Sequence, residues 1–364
     1  MEVSMKKLFL SLMMMMGMGM GCVQAWACTG ITLHTTAGHT VTARTIEWAG
    51  NDLESRYSIV PRGYQQQAIL SNYAGGGLHF VAKYGYVGLA VQQAEFVVEG
   101  VNEAGLAGGL FYFPGYGEYE SFHPSLHAST IGDLQVVPLM LATCGSIDEV
   151  KSMFERIHVV TLDSRGSTVH WRFTEQTGRQ IVVEIINKKV KFYENTLGVL
   201  TNSPDFDWHL KNLNNYVNLR PGKIEEAKIG DMLLTSFGGG SGMHGIPGDV
   251  TPPSRFVRAA FYQSTAPRQS TTTKAVVQAF HILNNFDIPT GIQFANADSV
   301  PDIPSATQWT VATDLVNRKI YYRTMHNATI RCFDLSSINF EKVRFQSYPL
   351  DKEKVQPIEQ ISVK

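Results

Sequence analysis

Four cysteines could supply thiol chemistry: Cys22, Cys28, Cys144 and Cys332. Lys6 and Lys7 precede an apolar run from Leu8 to Cys22, and Ala25-Trp26-Ala27 then presents the small-x-small pattern that a signal peptidase reads. The run is short for a bilayer span. A bacterial export signal over residues 1–27 is therefore expected, giving a periplasmic or secreted protein with no stable membrane insertion after processing. A lipoprotein signal at Gly19-Met20-Gly21-Cys22 competes, but it lacks the aliphatic residue three places before the cysteine. Cleavage after Ala27 would put Cys28 at the N-terminus of a mature domain spanning 28–364. Of the cysteines left, Cys144 sits before the helix start Ser146–Glu149 and Cys332 in a strand-like stretch. Both read as packed structural residues.

A terminal cysteine can do chemistry that an internal one cannot. Its α-amino group has a pKa near ~8, so a sizeable neutral fraction exists at neutral pH. That amine can serve as general base for its own side chain, without a separate histidine. The thiol then needs partners that hold the amine, favour the thiolate and stabilise an oxyanion. Arg44 is a candidate for the thiolate and Glu47 for the amine. The plainer reading of Cys28 is an ordinary strand residue, and of Glu47 a solvated carboxylate at a strand end.

These residues must be positioned by strands. Cys28 to Thr36 is rich in β-branched residues, Ala37-Gly38-His39 breaks it, and Thr40 to Trp48 resumes the texture, which predicts a β-hairpin. Folding back at the break brings Cys28 roughly opposite the Glu47-Trp48 end. Strand parity puts Arg44 and Glu47 on opposite faces unless a bulge intervenes. Further strands are expected at 78–91, 168–173, 180–186, 190–193, 307–315 and 319–324. Ser146 and Glu149 form a capping box ahead of Val150, Met153, Phe154 and Ile157 at helical spacing. Ser203-Pro204 reads as the N-cap and first turn of a helix carrying Leu210, Leu213 and Val217. Ser254 is expected to cap Arg255–Tyr262, and 275–283 has an apolar helical face.

Composition narrows the classes. The 364 residues are 44% hydrophobic and 17% charged, with a formal charge of −1. That suits a soluble globular enzyme or ligand-binding protein and gives no basic excess for nucleic acid. Gly75-Gly76-Gly77 and Gly238-Gly239-Gly240 lack the Lys-Ser/Thr of a phosphate loop and read as turns. His123 and His127 are interrupted by Pro124 and have no third ligand, which argues against zinc. His34, His39, His209 and His244 sit in no motif and read as surface or loop residues. Asn327-Ala328-Thr329 fits a glycosylation acceptor, which carries no meaning in a bacterial export context. Asp249 and Asp314 read as structural, holding turns.

Cys28-Thr29-Gly30-Ile31 followed by Ala43-Arg44-Thr45-Ile46-Glu47-Trp48 resembles the opening of the choloylglycine hydrolase family, N-terminal-nucleophile hydrolases that include bile salt hydrolases and penicillin V acylases. The likeness continues in order. It runs through Val101–Leu106, Gly109–Gly115, Gly198–Pro204 with Phe206-Asp207-Trp208, Ile246–Asp249 with Ser254-Arg255-Phe256, and Trp309–Asp314 with Tyr321–Thr324.

The resemblance implies an α+β fold, the four-layer αββα sandwich of N-terminal-nucleophile hydrolases. It implies Cys28 as nucleophile and base, Arg44 beside it, Asn202 as an oxyanion donor and Arg255 as the distal arginine. An Arg in a helix's first turn opposes the helix dipole, which independently suggests a purpose beyond helix stability. Tyr112 matches a position holding Asn or Tyr, with Phe111 as a rival alignment. The family usually has Asp at the position of Glu47, and the extra methylene bears on activity level more than on reaction type. The implied reaction hydrolyses a linear amide through a Cys28 thioester, with no metal or organic cofactor. An apolar acyl group is expected against Tyr112, Phe111, Phe113 and Trp48. Conjugated bile salts lead as substrates, ahead of penicillin V and N-acyl homoserine lactones. An inactive periplasmic binding protein is the reading of another class. Family resemblance also implies a homo-oligomer, a tetramer.

Overall fold

Strands buried on both faces lose the polar-apolar alternation of a surface strand and read as unbroken β-branched runs. The first two strands are of this kind, buried along almost their whole length. The computed structural model describes residues 27–48, 52–70, 76–162, 168–292 and 306–363. Residues 1–26 of the export signal expected over 1–27, Cys22 among them, lie outside the described residues, as does Gly75.

The strands of the two large sheets are, in chain order, β1 (Ala27–His34), β2 (Thr40–Trp48), β3 (Arg56–Val60), β4 (Tyr86–Ala90), β5 (Val97–Asn102), β6 (Ala107–Tyr112), β7 (Val169–Thr174), β8 (Gln180–Ile186), β9 (Lys189–Glu194), β10 (Ala306–Asp314), β11 (Lys319–Thr324), β12 (Asn327–Asp334) and β13 (Gln346–Pro349). A five-stranded antiparallel sheet runs β1-β2-β10-β11-β12, and an eight-stranded one runs β9-β8-β7-β6-β5-β4-β3-β13. The helices are α1 (Val136–Thr143), α2 (Ile147–Phe154), α3 (Phe206–Asn212), α4 (Pro252–Thr265) and α5 (Thr272–Leu283). α4 and α5 cover the outer face of the smaller sheet, and α1 covers β5 and β6 of the larger one. The two sheets face each other over a shared apolar core. This is the expected αββα order of layers, and β1 is an edge strand within it.

Several expected elements differ in detail. The run 78–91 is split into a short strand His79–Val81 and β4. β5 and β6 carry glycines and were not expected as strands. Their glycines admit close packing: a Cβ at Gly100 would lie 2.8 Å from Leu141 on α1. α1 itself is buried all round, so it shows no helical stripe. Ser146 caps α2 as expected, but the Glu149 carboxylate accepts from Gly145 N rather than closing the box on Ser146. Asp205, not Ser203, caps α3 by accepting from Trp208 N, because the Ser203 hydroxyl donates to Pro114 O. α4 begins at Pro252, and Ser254 Oγ donates to Asp249 inside its first turn. Asp314 accepts from Asn317 N and Nδ2 at the β10–β11 turn.

Candidate active site

The β1–β2 register pairs Cys28 with Ile46, Gly30 with Arg44 and Ala27 with Glu47. Directly paired residues share a face, so Cys28 and Arg44 look toward the larger sheet. Arg44 accordingly donates from Nη1 to Val98 O and Leu110 O across the core, and from Nη2 to Cys28 Sγ at 2.7 Å. Glu47 lies on the opposite face, within reach of the charge of Arg255 on α4. Parity thus holds without a bulge in β2; the irregularity falls in β10, between Thr307 and Trp309.

Cys28 is buried. Burial raises its thiol above the ordinary range, Arg44 pulls it down and Glu47 pushes it up, while a backbone hydrogen bond from Tyr112 and the charge of Arg255 also lower it. The raised value means that the resting group is a thiol, so a nucleophilic role requires a base.

The segment carrying Asn202 runs beside the free edge of β1. Gly30 N donates to Leu200 O at 2.7 Å and Leu200 N to Gly30 O at 3.1 Å. This brings Asn202 Oδ1 within 2.9 Å of Cys28 N, which donates to it. Arg255 Nη2 donates to the same oxygen at 2.7 Å, and Asn202 Nδ2 donates to Tyr112 O at 2.8 Å. Asn202 therefore holds the backbone nitrogen of Cys28, and a single Nδ2 hydrogen is left to offer a further acceptor.

Arg255, fully buried in the first turn of α4, donates to Cys28 O, to Thr29 Oγ1 at 2.8 Å and to Val250 O at 2.9 Å. These contacts explain an arginine set against the helix dipole. Glu47 Oε1 accepts from Thr307 Oγ1 at 3.1 Å, while Oε2 has no hydrogen-bond partner among the described residues. Burial pushes this carboxyl up to about 7, against the pull of Arg255, of hydroxyls on Thr45 and Thr307, and of Arg44. The solvated-carboxylate reading of Glu47 does not survive this burial.

The aromatic residues divide. Phe111 is fully buried with Arg44 Cζ 4.1 Å from its ring centroid, and Phe113 is fully buried and stacked on His170 at 4.4 Å. Trp48 is buried as well. All three rings, expected against substrate, are buried in this structure. Tyr112 keeps exposed surface beside Asn202.

Two histidines were not foreseen. His209, expected at the surface, is fully buried, stacks on Phe256 at 4.6 Å and donates from Nε2 to Asn202 O at 2.8 Å. His170 Nε2 donates to Thr201 O at 3.2 Å, and its Nδ1 lies 3.0 Å from Glu184. Together they clamp successive carbonyls of the Asn202 segment. No local motif marks them, because their partners are remote in sequence. Cys144 is buried as expected, whereas Cys332 is exposed on β12, an edge strand, and the three described cysteines are free. Among the described residues no His/Cys/Asp/Glu cluster is suited to a metal, and no helix is long and apolar enough to cross a membrane.

Residues 28–348 match the family model for linear amide C–N hydrolases of the choloylglycine hydrolase family, so the match begins at Cys28. The chain is 30% identical over 338 residues to a bile salt hydrolase/transferase from Clostridium perfringens, covering 89% of this chain and 97% of that one. A bile salt hydrolase/transferase from Bifidobacterium longum is 33% identical over 273 residues, covering 73% and 83%. Among solved structures, a mutant of the conjugated bile acid hydrolase from Clostridium perfringens superposes with a TM-score of 0.79 at 29% identity, over 92% of this chain and 100% of that one. The penicillin V acylase from Agrobacterium tumefaciens, at 21% identity and TM-score 0.70 over 89% and 92%, shares the fold. The chain, with its buried Cys28 gathered against Arg44, Asn202 and Arg255, belongs to the choloylglycine hydrolase family and is an amide-hydrolysing enzyme of that type.

Proposed function

We propose that the exported, processed enzyme hydrolyses conjugated bile salts through a thioester on Cys28. The observation that carries this reading is Cys28 itself, with Arg44 Nη2 on its sulfur and Asn202 Oδ1 on its nitrogen. The similarity to bile salt hydrolases supports the substrate.

Removal of Ala27 turns the Cys28 amide into a free amine beside Glu47, the register partner of the departed residue. Glu47 Oε2, lacking a partner among the described residues, then accepts from that amine. The amine takes the thiol proton, and Sγ adds to the substrate carbonyl carbon. The oxyanion that forms is met by the remaining Asn202 Nδ2 hydrogen and by the Tyr112 backbone N–H, donors of a kind commonly worth about 3 kcal/mol each. The ammonium next gives its proton to the substrate nitrogen, the C–N bond breaks, and the free amine product leaves the acyl group on sulfur. Water, losing a proton to the same α-amine, attacks the thioester, and collapse of that intermediate releases the acid and restores the thiol.

A homo-oligomer is part of the same proposal. The hairpin of Ala227–Ile229 and Met232–Leu234 exposes Ile229, Met232, Leu233 and nearby Phe237 to solvent. Such a patch is one that association covers.

The test incubates the processed enzyme with glycocholate, taurocholate, penicillin V and a long-chain N-acyl homoserine lactone and quantifies released amine or β-lactam nucleus. Fastest turnover of the bile conjugates, abolished by alkylating Cys28, is the expected result. Preference for penicillin V or the lactone would overturn the substrate and keep the mechanism. Turnover that survives Cys28→Ala would overturn the mechanism.

A further inference from the structure

Behind Arg44 lie two buried charged residues that the steps above do not use. Glu99 on β5 is buried, with Oε2 3.6 Å from Arg44 Nη1. Arg172 on β7 is buried too and donates to Ile31 O at 3.3 Å. The Phe111 ring lies against both guanidiniums, with Cζ of Arg44 4.1 Å and Cζ of Arg172 5.3 Å from its centroid. The backbone is cleared for these groups. A Cβ at Gly30, in β1, would sit 2.6 Å from Arg172 Nη1, and one at Gly109 would collide with Glu99 Oε2.

Each buried ion carries a desolvation cost of several kcal/mol, offset only by good partners. Phe111 with a hydrophobic neighbour would fill this space without that cost. A Glu and an Arg kept here, one contact away from the sulfur's own guanidinium, therefore need another reason. Glu99 attracts Arg44 and opposes an anion on Cys28; Arg172 offsets Glu99 and favours that anion. Burial lifts the Glu99 carboxyl above its ordinary range, with Arg172 and Arg44 pulling it back, while burial lowers Arg172 to about 10 against the pull of Glu99.

We propose that Glu99 and Arg172 are positioning residues that tune the charge at the nucleophile through Arg44: Glu99, 3.6 Å from Arg44 Nη1, takes up part of the guanidinium's charge and so opposes an anion on Cys28 Sγ, and Arg172 offsets Glu99 and so favours it. The consequence for turnover rests on the reading of Cys28 as nucleophile, whereas the electrostatics can be read on the thiol itself. The charged and titratable groups around that thiol are, in the processed enzyme, its own α-amine, then Arg44 and Glu47 from β2 and Arg255 from α4. Glu99 and Arg172 act through Arg44, and His209 of α3 lies behind Asn202.

The experiment follows the rate of Cys28 alkylation by iodoacetamide against pH in the processed enzyme, quantified on the Cys28 peptide by mass spectrometry. Glu99→Gln, nearly isosteric, removes a negative charge, and the alkylation midpoint falls by about half a pH unit or more, roughly threefold faster labelling below the midpoint. Arg172→Met removes a positive charge, and the midpoint rises by a similar amount. Arg172→Lys keeps the charge and returns the midpoint toward the parent. A purely structural role would move both neutral variants in one direction, so shifts of the same sign, or no shift, overturn the proposal. If Arg172→Met fails to fold, Glu99→Gln decides alone, and a midpoint at or above the parent's overturns it. Amide hydrolysis retained by Cys28→Ala would instead sink the nucleophile reading and leave the midpoints to judge the pair.

Discussion

Glu47 should make the stability of this protein depend on pH, and differently in a chain that retains Ala27 and in one that begins at Cys28. With Ala27 attached, burial holds the carboxyl up to about 7 against an ordinary 4.5. Between those values the folded chain keeps a proton that the unfolded chain has released. Stability therefore falls as pH rises through the window, and the full loss is in place above about pH 7. At about 1.4 kcal/mol per pH unit the window amounts to about 3 kcal/mol. Glu47→Gln keeps the shape and an acceptor for Thr307 Oγ1 but cannot ionise. In a chain that retains Ala27, the stability of the Gln variant relative to its parent should rise by about 3 kcal/mol between pH 4 and pH 8, measured by urea unfolding at each pH. In a chain beginning at Cys28 the new α-ammonium lies beside the carboxylate, and an opposite charge at such range lowers a carboxyl by about 1–3 pH units. The gain should then shrink to about 1 kcal/mol or less. A difference that stays flat with pH in the Ala27-containing chain would refute the burial argument. An equal gain in both chains would refute the pairing of Glu47 with the amine.

Other substitutions probe the surrounding frame. Arg255→Met strips the donors from Cys28 O, Thr29 Oγ1 and Asn202 Oδ1 and leaves Glu47 without its main cation. It should cost about 3–5 kcal/mol in urea unfolding and abolish turnover, whereas Arg255→Lys should recover part of the stability and little turnover, lacking the planar fork that meets four acceptors, Val250 O included. His209 is lowered by burial to about 4 from an ordinary 6.5. Its contribution is complete above pH 6.5 and is lost as pH falls toward 4, so the parent should lose about 3 kcal/mol relative to His209→Gln across that window; a constant difference would show the ring to be accessible to protons. Gly30→Ala forces a Cβ to 2.6 Å from Arg172 Nη1 and 2.9 Å from Phe111. It should cost about 1–3 kcal/mol in thermal denaturation.

Much of this was legible in the chain. The β1–β2 hairpin, the parity that separates Arg44 from Glu47, and the helix start at Ser146 are local consequences of β-branching, the two-residue period and side-chain capping. The reaction class was legible too, since a cysteine following a small-x-small pattern has a chemistry of its own and the ordered blocks around it carried the family resemblance. Elements hidden by their surroundings were not legible. α1 is apolar on every side because it is buried on every side, and the glycines of β5 and β6 that read as breaks are where helix and side chains press on the backbone. The roles of particular groups were decided by contacts between residues far apart in sequence. Asn202 turns its oxygen to Cys28 N only because the 200–202 segment lies along the open edge of β1. Thr307 reaches Glu47 across 260 residues, and the Phe111 ring is buried against two guanidiniums carried by other strands. Residue type and spacing determine which chemistry is possible; burial, register and the meeting of distant strands decide which oxygen, nitrogen or charge is free to perform it.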